Sequence, residues 1–279
     1  MTTNPASTIF ALIGQPVTGN PTGAMIDAAC RSVGLGGGRY VSIDVPPEEL
    51  ANAVEAARTL RFAGFHVTVP HKIAVITHLD RLTLAAEAVA AVNCVKRDGP
   101  ELVGDNTDGR GFVAALEEVR PVRGSRLLVL GAGGAARAVA VEAALAGADA
   151  VTIANRMLDR AEELAELVRR VGVEARVAPW ELPLRVSAGI DVVVNATSVG
   201  MGDPSESIPV EWDDCDGGVA ADVVIRLSTR FLEDAAAAGW APLDGLGMLV
   251  EQAVEGFRWW TGCEPDRESM RSALLAATS

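Results

Sequence analysis

Residues 126–156 read RLLVLGAGGAARAVAVEAALAGADAVTIANR, and this stretch decides the fold. An apolar run, a glycine turn, an alanine-rich helical segment and a second apolar run follow one another within a single crossover length. That is the pattern of a βαβ unit with parallel strands. After the strand RLLVL, the residues GAGGAA spell G-x-G-x-x-A at Gly131, Gly133 and Ala136. Gly131 permits the tight turn, Gly133 lets backbone approach a pyrophosphate, and Ala136 allows close packing of helix on strand. The helix start, with Ala132, Gly134 and Ala135 in the same turn, offers unpaired N–H groups and a positive dipole end to phosphate. A glycine triplet alone also occurs in ordinary loops; the strand–turn–helix context is what points to a dinucleotide.

The next strand, VTIANR, ends where such folds choose between cofactors. An acidic residue there would bind a ribose 2′-hydroxyl and favour NAD. This chain has Ala154, Asn155 and Arg156 instead, with Arg160 one turn later. Two guanidiniums at that point suit a 2′-phosphate, which favours NADP. Arg160 reads equally well as a solvated helix residue paired with Glu162 and Glu163.

Downstream, DVVVNATSVGM (191–201) and GGVAADVVI (217–225) are expected as further strands of the same sheet, and MLVEQAVEGFRWWTG (248–262) as an amphipathic helix ending at Thr261-Gly262. Upstream, strand-like and helix-like pieces alternate: strands over 8–14 and 39–45, helices over 23–35 and 46–60, and a third strand in GFHVTVP (64–70). This alternation again means an α/β sheet with parallel pairing. AVNCVKRDGPELVGDN (91–106) reads as a hairpin turning at Asp98-Gly99. In GFHVTVPHK, Phe65, Val67 and Val69 alternate with His66 and Thr68, the period of a half-buried strand, which Pro70 then stops.

Lys72 directly follows that strand, and Asp108 precedes an amphipathic segment in DNTDGRGFVAALEEV (105–119). Taken singly, Lys72 is a snorkelling surface residue, and one of Asn106, Thr107 and Asp108 a helix N-cap. Beside a nicotinamide the pair has another meaning. Reduction of a carbonyl needs a proton donor at oxygen while hydride arrives at carbon, and a carboxylate keeps a lysine oriented and charged.

The chain has 279 residues, 49% of them hydrophobic, and a formal net charge of −13. It is long enough for one large or two smaller domains. Its charge argues against nucleic acid or an anionic membrane as a partner, so any anionic ligand must be held by a local set of donors. The four cysteines (Cys30, Cys94, Cys215, Cys263) form no CxxC pair, which argues against a zinc site or a disulfide framework and fits a reducing cytoplasm. The start MTTNPASTIFALIG lacks the basic n-region and long apolar run of a signal peptide.

Six ordered motifs resemble the shikimate dehydrogenase family: VTVPHK (67–72), AVN (91–93), NTDG (106–109), GAGGAAR (131–137), NATSVGM (195–201) and DGLGMLVEQAVEGFRWWTG (244–262). The likeness runs over nearly the whole chain. It implies an α/β protein of two domains: a substrate domain over 1–105 completed by 246–279, and a Rossmann-type nucleotide domain over 106–245. It implies Lys72 and Asp108 as the catalytic pair, Asn93 and Gln252 on substrate hydroxyls, and Thr68 as a further substrate contact. Asn155 and Arg156 resemble the family's NADP clamp, with Arg160 as its third member. Asn195, Ala196, Thr197 and Gly247 resemble segments lining the nicotinamide, although NATSVGM reads on its own as a strand running into a turn.

The departures bear on the substrate. Where the family carries Ser-x-Ser after the first strand, to hold a substrate carboxylate, this chain has Asn20 and Thr22. The threonine resembles the quinate-using branch; Asn20-Pro21 by itself is a simple turn. His66 replaces an asparagine, Ile225-Arg226-Leu227 replaces Tyr-Asn-Pro, and Met157 replaces a threonine that assists the 2′-phosphate, which keeps NAD open beside NADP. The expectation is therefore a cytoplasmic NAD(P)-dependent dehydrogenase acting, as monomer or homodimer, on a cyclic polyol carboxylate: shikimate first, quinate next. A non-catalytic nucleotide-binding regulator on the same fold is the alternative.

Overall fold

A computed structural model describes residues 8–212 and 218–278. Residues 1–7 of the N-terminal segment, Cys215, and Gly217 at the head of the expected strand 217–225 lie outside the described residues. The chain forms two compact units, one made of residues up to Thr107 together with those from Val250 onward, the other of Asp108–Leu249.

The first unit contains strands β1 (Ile9–Gly14), β2 (Arg39–Asp44), β3 (Gly64–Val67), β4 (Arg81–Leu82), β5 (Cys94–Asp98) and β6 (Glu101–Asp105), with helices α1 (Thr22–Ser32), α2 (Leu50–Thr59) and α3 (Leu84–Val89). Its sheet runs β2-β1-β3-β5-β6-β4. β1 pairs parallel with β2 and β3, because each connection carries a helix back along the sheet. β5 and β6 pair antiparallel around a two-residue loop, Gly99-Pro100, in which Gly99 takes the left-handed φ of 62°. The turn thus falls one residue beyond Asp98-Gly99.

The half-buried reading of 64–70 is corrected. All four residues of β3 are buried, the strand stops at Val67, and Val69 is 41% exposed. The reason lies outside the local sequence. Phe65 and Val67 pack on one face with Val54 and Ala57 of α2. On the other face lies the aromatic end of a helix contributed from residues near 250–261. There the Trp260 ring stacks on Phe10 at 5.1 Å and tilts against His66 at 4.5 Å, and its Nε1 donates to Val95 O (2.9 Å).

The second unit comprises α4 (Asp108–Glu117), β7 (Arg126–Leu130), α5 (Gly134–Leu145), β8 (Ala150–Ala154), α6 (Leu158–Arg170), β9 (Glu174–Ala178), β10 (Leu184–Arg185), β11 (Val192–Asn195), β12 (Val210–Glu211), β13 (Val219–Asp222), α7 (Arg230–Ala237) and β14 (Ala241–Leu243). α8 (Gly245–Thr261) starts in this unit and ends in the first, where α9 (Arg267–Thr278) packs on α1. The main sheet is wholly parallel in the order β14-β13-β11-β7-β8-β9. Counted along the chain this is 3-2-1-4-5-6, the doubly wound order of dinucleotide-binding folds, with its switch point between β7 and β11. The central strands β11 and β13 and most of β7 are buried, as a parallel sheet covered by helices requires, whereas the edge strand β9 exposes Glu174 and Arg176. α5 is alanine-rich because it lies between β7 and α4: Ala136 through Val141 are buried except Arg137, and a Cβ at Gly109 of α4 would lie 2.6 Å from Ala138 O. Among the described residues no helix is long and apolar enough to cross a membrane.

Two outcomes follow from the β3–α8 contact. A Cβ at Gly64 would lie 2.4 Å from Trp260 Nε1, so Gly64→Ala should lower stability by about 1–3 kcal/mol, read as a shift of the denaturation midpoint. Burial, and secondarily the Lys72 ammonium, hold His66 down at about 3 from 6.5. Below pH 6.5 the unfolded chain therefore takes up a proton that the folded one refuses. Stability should fall as pH drops from 6.5 toward 3, by at most about 5 kcal/mol from this group. Denaturant unfolding of His66→Leu across that range should show the slope reduced.

Candidate active site

In the first unit two buried polar side chains, Thr107 and Gln252, meet at Asn93, immediately before β5. Asn93 Nδ2 donates to Thr107 Oγ1 (2.9 Å) and to Gln252 Oε1 (3.2 Å), and Asn93 Oδ1 accepts from Thr107 N (2.7 Å). Asn93, Thr107 and Gln252 are all buried, so each bond lies in a low-dielectric interior, where an unmade one costs about 1–3 kcal/mol. The cluster joins the start of a hairpin, its end, and the middle of α8. Its neighbour Val92 donates its N–H to the backbone carbonyl of Lys72 (2.7 Å), which fixes the Lys72 backbone beside Asn93.

The segment carrying Lys72 is held at both ends. Thr68 N donates to Ile13 O (2.9 Å), His71 N to Thr68 O (2.9 Å), and the buried His71 ring bonds Val45 O through Nε2 (2.7 Å). His71 is thereby tied into the interior, whereas Lys72 beside it is partly exposed. Asn20 Oδ1 accepts from Thr22 N (3.0 Å), so the Asn-Pro turn is real and α1 begins at Thr22, one residue before the expected start. That bond uses the amide oxygen, leaving Nδ2 as the donor, and Thr22 is buried beside it. Asn20, Thr22, Thr68, Lys72, Asn93 and Gln252, the residues expected on the substrate side, all belong to this unit. Local sequence marks Thr107 only as a cap; its hydroxyl at the centre of the cluster comes to light in the fold alone.

In the second unit, Gly131 at the end of β7 adopts φ 110°, and a Cβ there would lie 2.8 Å from Ala196 O and 3.2 Å from Thr197 Cγ2. The glycine turn and the end of β11 thus meet at the topological switch point. Gly133 caps α5 in extended backbone with open space where a side chain would be. Gly134 and Ala135 are partly exposed, whereas Ala132 and Ala136 are buried. A helix N-terminus with backbone this accessible fits a pyrophosphate. The Asn195 side chain is fully employed at home. Nδ2 donates to Asp222 Oδ1 (3.0 Å) and Val199 O (3.3 Å), while Oδ1 accepts from Thr197 N (3.2 Å) and Thr197 Oγ1 (2.8 Å). It shapes the turn that carries Ala196. Burial pushes the Asp222 carboxyl up, opposed by bonds from Thr229, Val224 N and Asn195.

At the end of β8, Asn155 Nδ2 donates to Met157 O (2.9 Å), and Met157 is 53% exposed. Arg156 and Arg160 are exposed, and neither has an acidic partner at ion-pair distance among the described residues. Glu162 and Glu163, the acids that could have neutralised Arg160, pair with Arg169 and Arg137 instead. Two uncommitted guanidiniums flanking the second strand suit a phosphate on the ribose. Gly247, in the first turn of α8, packs on α4, where a Cβ would lie 3.2 Å from that of Ala115. Asp108 is buried at the start of α4.

Comparison with known proteins matches this division. Residues 12–95 match the family model for the shikimate dehydrogenase substrate binding domain, 114–201 that for shikimate / quinate 5-dehydrogenase, and 245–275 that for the shikimate 5'-dehydrogenase C-terminal domain. Shikimate dehydrogenase (NADP(+)) of Geobacter metallireducens is 42% identical over 277 residues, covering 96% of each chain. Shikimate 5-dehydrogenase from Thermus thermophilus, solved with NADP(H) and shikimate, is 39% identical with a TM-score of 0.84, over 97% of this chain and 99% of that one. Ligand-free 5-ketofructose reductase of a Gluconobacter strain is 42% identical with the same TM-score, 0.84, over 97% and 98%. The fold, the ordered site residues and these matches together make the chain a member of the shikimate dehydrogenase family, and with it an oxidoreductase.

Proposed function

We propose that the protein is an NADP-dependent dehydrogenase that interconverts a ketone and a secondary alcohol on a polyhydroxylated substrate, with 3-dehydroshikimate and shikimate first and quinate next. The observation that carries the reading is the buried Asn93–Thr107–Gln252 cluster, with the Lys72 backbone tied alongside it. Such a cluster presents amide and hydroxyl groups of fixed orientation, which suits recognition of vicinal hydroxyls.

In this reading Asn93, Gln252 and Thr68 hold substrate hydroxyls, and Asn20 Nδ2 and Thr22 Oγ1 hold the carboxylate. Lys72 donates a proton to the carbonyl oxygen as the carbon is reduced, and accepts it back in the reverse direction. Asp108 keeps Lys72 oriented and charged and accepts a hydrogen bond from a substrate hydroxyl. NADPH, when bound, supplies the hydride. Gly131 to Ala135 hold its pyrophosphate, Asn155, Arg156 and Arg160 its 2′-phosphate, and the Ala196–Thr197 turn with Gly247 lines the nicotinamide. The enzyme is expected in the cytoplasm.

A second reading shares this chemistry but takes an uncharged polyhydroxy ketone. It is favoured by the 42% identity to a 5-ketofructose reductase and by Asn20 and Thr22 in place of the two serines. The deciding experiment is hydride transfer, followed at the nicotinamide absorbance, with shikimate, quinate, 5-ketofructose and related polyols against both cofactors. Turnover of the carboxylates fits the first reading and of 5-ketofructose alone the second. Cofactor binding with no turnover of any member would make the protein a regulator and overturn both.

Lys72→Ala should lower kcat by about 10²–10⁴ while the Kd for NADP changes little; unchanged turnover would remove the lysine from the mechanism. Arg156→Ala should weaken NADP(H) about 10- to 100-fold, the scale of one charge-assisted hydrogen bond, and leave NAD(H) nearly unaffected. Equal losses for both cofactors would contradict the phosphate role.

A further inference from the structure

One buried group near the substrate-side cluster is unaccounted for. His66 is 4% exposed, its Nδ1 bonds the Tyr40 hydroxyl (2.9 Å), and its Nε2 has no partner. The ring faces α8, where a Cβ at Gly256 would lie 3.0 Å from Nε2 and 3.2 Å from Cys94 Sγ. Gly256 is one helical turn after Gln252, and Cys94, the register partner of His66, follows Asn93. The imidazole therefore lies between α8 and the residue that follows Asn93, one helical turn along α8 from Gln252. Its support reaches the start of α1: the Tyr40 ring lies beside Gly23, one residue after Thr22, with its Cδ1 3.4 Å from where a Cβ would stand. The Lys72 ammonium is near enough to disfavour protonation of the ring, which burial disfavours more strongly.

Packing alone does not account for a histidine here. A leucine has about the volume to fill the space and leaves no hydrogen-bonding group unmatched, whereas the unpaired Nε2 costs about 1–3 kcal/mol. Buried groups that lower stability without a local compensation mark functional positions. The ring is neutral, and Tyr40 occupies Nδ1 whichever tautomer is present. Nε2 then offers either one donor or one acceptor. A hydroxyl can answer both; a carboxylate answers only the donor.

We infer that His66 is a specificity-determining residue of the substrate site, whose Nε2 is satisfied in the substrate complex by a hydroxyl of the substrate, directly or through one water. Tyr40 is the positioning residue that holds the ring, and Gly256 provides the space for it. This rests on the dehydrogenase reading above, so the panel member turned over fastest by the unaltered enzyme serves as the probe.

Two measurements test it. With ¹⁵N-histidine-labelled full-length protein and saturating NADP⁺, adding the probe should shift the Nε2 resonance of His66, with those of His71 and His78 as internal references; an unchanged His66 resonance overturns the inference. In steady-state assays, His66→Leu should raise KM for the probe about tenfold, the scale of a neutral hydrogen bond, with kcat within about threefold. His66→Gln, whose amide can supply a polar group in place of Nε2, should recover most of that loss. Equal KM values in the Leu and Gln variants would reduce His66 to a packing residue. If neither variant folds, the resonance of the unaltered protein still decides. No turnover of any panel member by the unaltered enzyme would instead sink the parent reading.

Discussion

The structure depends on one side-chain amide. Asn93 bonds Thr107 and Gln252, residues 14 and 159 positions away. All three are buried, so water cannot substitute for a lost partner. The bond to Gln252 anchors α8 on β5, and the bonds to Thr107 set the residue immediately before Asp108. Through Val92, the same short stretch holds the backbone of Lys72. A single constraint thereby fixes two amides proposed to bind substrate and the backbone from which the proposed proton donor projects.

The cofactor side obeys a different constraint. A protein with net charge −13 repels phosphates at long range, so affinity for a dinucleotide must come from donors placed at contact distance. Backbone supplies one set: Gly133 leaves the start of α5 open, and Gly131 lets that turn close against Ala196. Side chains supply the other, because the acids of α6 are drawn to Arg137 and Arg169 and leave Arg156 and Arg160 uncommitted. In the proposed function the two sets address different phosphates of one ligand, and the second set favours NADP over NAD.

Much of this is legible in the sequence where the determining interactions are local. The β7–α5–β8 unit follows from residues within one crossover, and so does the chemistry of its glycine turn. Non-local cover is not legible. The alternation in GFHVTVP promises a wet face, but Trp260 and Gly256, nearly 200 residues later, cover it and bury His66. The role of Thr107 is hidden because a capping threonine and a site threonine share one local signature, and only the fold brings Asn93 and Gln252 to its hydroxyl. Helical spacing offers Glu162 and Glu163 to Arg160, and tertiary packing assigns them elsewhere. What the residues leave open is the substrate, since Asn20, Thr22 and His66 alter the cradle while keeping its polarity.

The most direct test is a crystal structure of the unaltered enzyme with NADP⁺ and the alcohol it oxidises fastest. Lys72 Nζ is expected within about 3 Å of the carbinol oxygen being oxidised, with the Asp108 carboxylate on the same ligand. A carbinol oxygen held by other groups, with Lys72 turned to solvent, would contradict the proton-transfer role at the centre of the mechanism.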